Sequence, residues 1–432
     1  MKPISVILIG AGGRGGAYVS RMNALPEKFK VVAVADPIEN RRERVQKWCN
    51  LPDDMLFRSW TDILDRPKMA DVAIISTMDD MHYEPALKAI ELGYNLLLEK
   101  PAAQNAKECA DIARAAKEKG VSVLVCHVLR YSPFFKTMKK ILMDGTIGEP
   151  MSVIHVEAVG NIHQSHSYIR GDWHSEKETT PMLLAKCCHD IDIIQWLLDK
   201  KCKKVSSFGD LTYFRAENAP EGAPVRCWDG GCPIGDTCPY NVRKLYYDST
   251  DDDWFRRAAT IGISKEFKPT TEEVKTALET TDYGLCVFHA NNDVVDHQVV
   301  NMEFEGGTTA NLTMNCFNKG GRFTRIFGTK GEIFAYAADT EITVYTFDDN
   351  ETRKIPVIKT EESILGGHGG GDDGIVLELY DYLCGNYNGY CAADIETSVK
   401  NHLIAFAAER ARHTDTVVSI DEYMQEFGME NN

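Results

Sequence analysis

No run of apolar residues in this 432-residue chain approaches the roughly 18 needed to span a bilayer. Positive charge is in deficit: 48 Lys and Arg stand against 64 Asp and Glu, a formal net charge of −16. An acidic surface repels nucleic acid and anionic membranes, so neither is expected as a partner. There is no internal repeat, which excludes solenoid and propeller arrays. The apolar stretch from Ile4 to Ile9 is too short for a secretory leader and runs directly into glycines, so it reads as a buried first strand. The 13 cysteines, two of them adjacent at Cys187 and Cys188, lack the pattern of a secreted disulfide framework. Reduced thiols and a cytoplasmic location are therefore expected.

The chain is long enough for two domains, and its proportions of hydrophobic and charged residues are those of a soluble globular protein. Its first part alternates short apolar runs with helical patterns. Strands are expected at Ile4 to Ile9, Val31 to Ala35, Ala70 to Ser76, Asn95 to Leu98 and Val121 to Val125. Helices are expected from Gly15 to Met22, from Tyr83 to Leu92 and from Ala106 to Lys119, the last two stopped by Gly93 and Gly120. That alternation predicts a doubly wound parallel sheet. Beyond about residue 150 the strands lengthen and alternate in polarity: Val153 to Val159, Val299 to Phe304, Thr309 to Cys316, Phe323 to Phe327 and Ile342 to Phe347. This predicts an α/β fold with a second, large, mostly antiparallel open sheet. The expected domains are 1–130 and 131–432, the latter carrying an insertion at about 210–293.

Gly10-Ala11-Gly12-Gly13-Arg14-Gly15 fits G-x-G-x-x-G between a strand and a helix, the context of a Rossmann dinucleotide site. Gly10 permits the turn, Gly12 lets the backbone approach a pyrophosphate, and Gly15 lets helix and strand pack closely. Gly13 and Arg14 complete the loop at the helix N-terminus, where free amides attract anions. Asp36, at the end of the second strand, suits a ribose 2′-hydroxyl and repels a 2′-phosphate. This favours NAD over NADP, with Arg41 and Arg42 close enough to qualify the choice.

Leu98-Glu99-Lys100-Pro101 puts a charged pair at the carboxyl end of a strand, the edge where open α/β sheets bind ligands. Beside an oxidised nicotinamide the ammonium form of such a lysine is disfavoured, and Lys100 could carry a substrate proton. The alternative is a surface lysine that begins a loop. Together with the glycine loop and the His189-x-x-Asp192 helix opening, this segment resembles the glucose–fructose oxidoreductase / inositol dehydrogenase / MocA (Gfo/Idh/MocA) oxidoreductase family along the whole chain. The resemblance implies that Lys100 lines the active site, that Glu99 contacts the cofactor, that Thr77 and His82 border the nicotinamide, and that Arg130 touches the cofactor's amide region or the substrate. Asp79 stands where the family carries a different residue and transfers more weakly. His189 is implied to bind or polarise the reacting oxygen.

The segment from Pro181 to Leu197 is expected to form that histidine helix. Many family members have an acidic residue four positions before the histidine, and here that position is Ala185. Lys186, three positions before His189, is then expected to supply a second cation at the site or to point to solvent. A dense loop holds Asn161, His163, His166, Tyr168, Arg170, Asp172, Trp173 and His174. It suits sugar recognition, with Arg170 and Trp173 as contacts, or is a plain polar loop. The run Gly366 to Gly374 is expected to bring backbone close to a ligand, with His368 as a substrate contact; His297 is a weaker candidate. Cys227, Cys232 and Cys238 read as unliganded thiols, with zinc as the alternative if a fourth ligand arrives from elsewhere.

The reading is an NAD-dependent dehydrogenase acting on a secondary alcohol of a sugar, sugar derivative or cyclitol. It assigns Lys100, His189 and Lys186 to catalysis and expects a homo-oligomer, a dimer or tetramer. Its rivals are an NAD-retaining enzyme that cleaves glycosides by transient oxidation and elimination, and a non-catalytic NAD-binding sensor.

Overall fold

The computed structural model describes residues 2–250, 253–264, 268–358 and 367–431, with 367–369 as backbone only. Among the described residues no helix is long and apolar enough to cross a membrane.

The first sheet has six strands: β1 (Ile4–Ile9), β2 (Phe29–Ala35), β3 (Leu56–Phe57), β4 (Val72–Ile75), β5 (Asn95–Leu98) and β6 (Val123–Val125). They run in the order β3-β2-β1-β4-β5-β6, and every pairing is parallel. Strand order reverses between β1 and β4, which opens the crevice where such sheets bind ligands. Helices cover both faces, so β4 is buried at every position, as its unbroken Val-Ala-Ile-Ile composition demands. The two-residue strand β3 is too short to register as a pattern in the sequence.

The second sheet has nine strands: β7 (Pro150–Ala158), β8 (Cys202–Asp210), β9 (His297–Phe304), β10 (Thr309–Asn315), β11 (Gly321–Gly328), β12 (Gly331–Tyr336), β13 (Glu341–Thr346), β14 (Glu351–Pro356) and β15 (Val418–Ser419). Their order is β14-β13-β12-β11-β7-β10-β9-β8-β15. Only β7 and β10 pair in parallel; all other neighbours are antiparallel. Burial alternates along β9, β10 and β13, so one face is dry and the other wetter. The helices Cys188–Leu198 and Ile395–Thr414 pack on the dry face. Between the paired strands β8 and β9, the described residues of 211–296 contribute no strand to either sheet and gather their own small cluster of Val242, Tyr246, Ala259, Val274 and Leu278.

Two expectations are corrected. The histidine segment is two helices, Met182–Ala185 and Cys188–Leu198, broken at Lys186 and Cys187. The glycine run is not a ligand loop: from Gly367 it forms the helix Gly367–Leu383. Its glycines allow a close helix approach, because a Cβ on Gly371 would lie 2.2 Å from the Val128 carbonyl oxygen and one on Gly374 would lie 2.6 Å from Tyr131 Cβ. Gly366 lies outside the described residues.

Gly371→Ala should therefore lower stability by about 1–3 kcal/mol through overpacking, despite alanine's better helix propensity. Gly13→Ala, whose Cβ would meet nothing within 4 Å, should stay within about 0.5 kcal/mol. Urea unfolding of both variants checks this; an unchanged midpoint for Gly371→Ala contradicts it.

Candidate active site

The turn from β1 into the helix Gly13–Asn23 is shaped by two glycines. Gly10 has φ +89°, and a Cβ there would stand 2.5 Å from Ser76 O; a Cβ on Gly15 would stand 2.1 Å from Gly10 O. Gly13 faces open space, a Cβ on Gly12 would meet only Arg41 Nη1 at 3.9 Å, and Gly12 supplies no side-chain cap, which leaves first-turn amides without one. At the end of β2, Asp36 is 3% exposed. Its Oδ2 accepts the Ala11 amide at 2.7 Å and its Oδ1 the Ile38 amide at 2.9 Å. Each oxygen keeps a lone pair for a ligand hydroxyl. Arg41 Nη1 lies 3.7 Å from Asp36 Oδ2, while Arg42 is turned inward onto the Asp36 and Pro37 carbonyls. An uncapped helix N-terminus beside a fixed carboxylate fits a dinucleotide's pyrophosphate and ribose.

Arg14 is partly buried and turns its guanidinium onto acidic partners. It donates to Glu99 Oε1 at 2.7 Å, to both oxygens of Asp372 at 3.0 and 2.7 Å, and to the Tyr18 hydroxyl. Tyr18 in turn donates to Glu99 Oε1 at 2.6 Å. Burial opposes both charges, yet Arg14 and Lys100 hold the Glu99 carboxyl below its usual range. Asp373 pairs with Arg21 between the same two helices. The side chain of Arg14 is thus a clamp between the first sheet and the helix Gly367–Leu383, and only its backbone belongs to the loop.

Lys100 leaves the end of β5, and its Nζ donates to the Ala185 carbonyl at 2.8 Å. That acceptor exists because the helix breaks after Ala185, so its carbonyl finds no amide four residues on. Asp79 lies nearby, 4% exposed, accepting from Trp173 Nε1 and from Thr180 Oγ1, both at 3.1 Å. Burial pushes its carboxyl up against the opposing charge of Lys100. His82 sets the adjoining loops, with Nδ1 2.7 Å from Pro101 O and Nε2 3.2 Å from Thr77 O. Thr77 Oγ1 donates to Met81 O at 2.9 Å.

His189 opens the helix Cys188–Leu198, its ring 6.0 Å from His127, which meets His402 at 5.5 Å, both edge to face. His402 accepts the Ala102 amide on Nε2 at 3.1 Å, so Nδ1 carries the hydrogen facing Ser398 O, 2.5 Å away. The same helix buries two carboxylates. Asp192 takes a bidentate pair from Arg130, at 2.8 and 2.6 Å, and a third bond from Asn401 at 2.6 Å. Asp190 Oδ1 is held by His155 at 2.9 Å and Arg322 at 2.7 Å. Arg130 is thereby engaged inside the protein rather than directed at a ligand. Lys186 lies 3.4 Å from Glu157 Oε1, and Arg322 approaches that carboxyl's other oxygen at 2.7 Å. The charge of Lys186 is therefore balanced locally.

The polar loop divides. Residues Gln164–Ile169 wind as a π-helix and are all buried. His163 stays half-buried, next to Tyr168, Trp254 and Phe255. His166 is enclosed by Tyr246, Trp254, Phe255 and Tyr283, and its Nδ1 is 3.1 Å from the Tyr246 hydroxyl. Trp173 reaches the site through Asp79. Arg170 does not: it is 2% exposed and donates to Leu285 O and Tyr240 O, both at 2.8 Å, within the segment between β8 and β9. His297 stands 2.8 Å from Asp296 and is nearly half exposed. The side chain of His368 lies outside the described residues. Sequence reasoning passed over Tyr18, His127, Glu157, Asp190, Arg322, Asp372 and His402, and used Asp192 only as part of the family signature. Asp190 and Asp192 carried a signal, since charges inside an apolar helical stripe require partners.

Burial pushes both His166 and His402 down from the usual 6.5 to about 3. The unfolded chain takes up those protons near pH 6.5 and the folded chain resists until about 3, so stability falls as pH drops through that window. The slope is about 1 kcal/mol per pH unit for each histidine. His166→Phe should remove about 1–2 kcal/mol of the stability lost between about pH 7 and 5, read from urea midpoints; an unchanged slope contradicts it.

Residues 4–127 match the oxidoreductase family's NAD-binding Rossmann fold, and residues 139–420 match its C-terminal alpha/beta domain. The putative oxidoreductase YteT of Bacillus subtilis is 25% identical over 340 residues, 74% of each chain. A 2,7-anhydro-N-acetylneuraminate hydratase of Escherichia coli is 27% identical over 46% of this chain and 50% of its own. An inositol 2-dehydrogenase/D-chiro-inositol 3-dehydrogenase of Lactiplantibacillus plantarum is 24% identical over 49% and 57%. Against these last two the match spans only about half the relative's length. In fold, the chain resembles levoglucosan dehydrogenase in complex with NADH and L-sorbose, with a TM-score of 0.69 at 17% identity over 97% of this chain and 99% of that one. It also resembles an oxidoreductase domain protein from Kribbella flavida, with a TM-score of 0.70 at 16% identity over 97% and 100%. With both domains matched, and with a glycine loop, Asp36 and a strand-end lysine meeting at one crevice, the chain belongs to the Gfo/Idh/MocA oxidoreductase family.

Proposed function

We propose that this protein is an NAD-dependent dehydrogenase of a secondary alcohol on a sugar, sugar derivative or cyclitol. The observation that carries the reading is the Lys100–Ala185 hydrogen bond at the end of β5. It holds a mobile four-carbon side chain in one direction beside the crevice and leaves the other Nζ positions for a hydroxyl. Bound NAD supplies the hydride acceptor. Lys100 carries the hydroxyl proton, and His189, fixed at the start of its helix, orients the reacting oxygen. Asp79, which feels the charge of Lys100, provides the negative charge that an acidic residue at position 185 would supply. Trp173 fixes that carboxylate and adds an aromatic surface of the kind that packs on sugar rings. Asp36 supports NAD over NADP, since its buried carboxylate occupies the ribose position. A cytoplasmic homo-oligomer, dimer or tetramer, belongs to the same reading, as do an NAD-binding domain of residues 1–130 and a second domain of residues 131–432.

A second reading rests on one finding, the hydratases among the relatives. In it the alcohol is oxidised transiently, a neighbouring C–H is lost as a proton, and the hydride returns after elimination or addition. The two readings part on whether NADH accumulates.

A panel of cyclitols and sugars with NAD should give stoichiometric NADH with at least one member. Lys100→Met should lower kcat by at least about 100-fold with NADH binding retained. Turnover without NADH, detected by product analysis, selects the second reading; full activity in Lys100→Met removes Lys100 from both. Asp36→Ser should move the NADP-to-NAD preference in kcat/KM by at least about tenfold, and an unmoved ratio denies Asp36 that part.

A further inference from the structure

The segment between β8 and β9 has a thin core for its length, and its turns converge on a pocket unrelated to the crevice. Cys227, Cys232, Cys238 and Cys286 all line that pocket. The first three come from one Pro- and Gly-rich stretch. The fourth is brought from 48 residues beyond Cys238 by an antiparallel bridge between Arg226 and Leu285 and by the Cys286 amide, which donates to Val225 O at 2.9 Å. Cys232 and Cys238 each begin a turn followed by proline: the Gly235 amide donates to Cys232 O at 3.0 Å and the Asn241 amide to Cys238 O at 3.4 Å. The amides of Tyr240 and Phe288 face the Cys238 and Cys286 thiols. All four cysteines are free and only partly buried.

A second feature points the same way. Arg170 lines the same pocket, is 2% exposed, and its Nη1 has no hydrogen-bond partner. A guanidinium with a dry, unsatisfied N–H is costly unless negative charge is meant to face it. Four thiolates around a divalent ion leave a surplus of two negative charges, and Arg170 stands against them. We infer that Cys227, Cys232, Cys238 and Cys286 form a structural zinc site, with Arg170 compensating its charge.

Among the described residues no three of these sulfurs lie within 4.8 Å of one another, whereas Zn–S bonds of about 2.3 Å require sulfurs about 4 Å apart. Metal binding therefore draws Cys286 and the cysteine stretch together, and the thiols release their protons to solvent as it does so. The group with suitable spacing, Glu176, Glu409 and His413, already receives the Arg412 guanidinium at 3.0 and 2.6 Å, so a cation is in place there. Because Arg170 follows directly on the π-helix that carries His166, a zinc ion would also brace the loop beside the crevice.

The full chain, purified without chelator, should hold one zinc per chain by elemental analysis. Cys232→Ser and Cys286→Ser should fall below about a tenth of that, and Cys384→Ser, outside the pocket, should retain it. Cobalt added to metal-free wild-type protein should give the absorption of tetrahedral thiolate coordination, which decides the matter even if a serine variant fails to fold. Chelation should expose residues 211–240 to protease. Zinc-free wild-type protein with no cobalt spectrum overturns the proposal. So do full zinc content in Cys286→Ser and iron with the visible absorption of a cluster.

Discussion

Asp190 and Asp192 carry charge into a helix that has almost no exposed surface, and much of the second sheet's polar chemistry answers to them. A carboxylate removed from water must be met by cations and donors or lose its charge. Asp192 recruits Arg130 from the first half of the chain and Asn401 from the C-terminal helix. Asp190 recruits His155 from β7 and Arg322 from β11. Burial pushes the Glu157 carboxyl up, against the opposing charges of Arg322 and Lys186. Four elements distant in sequence are thereby fastened to one helix, and His189 at its N-terminus inherits their rigidity. Such pairs lend little net stability compared with apolar packing, but they fix position, which a hydride-transfer site needs to within a fraction of an ångström.

The helix break gives Lys100 its partner. In a continuous helix the Ala185 carbonyl would accept an amide from the following turn. Interrupted at Lys186 and Cys187, it accepts the lysine instead. A methyl side chain at position 185 thus removes an acid without removing the function of orienting Lys100, because backbone replaces side chain. The buried Asp79 carboxyl, held by Trp173 and Thr180, feels the charge of Lys100.

The parallel sheet, the glycine turn, Asp36 and the strand-end lysine were legible because each rests on local pattern: apolar runs of strand length, glycine spacing and position at a strand end. The open second sheet was legible in outline from its alternation. What escaped was decided by partners far along the chain. Arg130 reads as a ligand contact until Asp192 is seen to take its Nε and Nη2 donors and Ala392 O its Nη1. Arg170 reads as a sugar contact until Tyr240 and Leu285 enclose it. The glycines near position 370 read as a loop because nothing local says that Val128 and Tyr131 will press against them. The break at Lys186 was invisible because Met182 to Leu198 is good helix sequence on both sides.

The clamp between Arg14 and Asp372 joins residues 358 positions apart, and it bears on how the chain is assembled. Closing so long a loop carries an entropic penalty that grows only slowly with length, yet it fixes an order of events: during synthesis, the first sheet emerges with Arg14 and Glu99 facing one another before the third member of their network exists. The nucleotide-binding half therefore completes its charge balance only when almost the whole chain is available. Truncation near the C-terminus is felt at the opposite end of the sequence, under the glycine loop, rather than where the chain is cut.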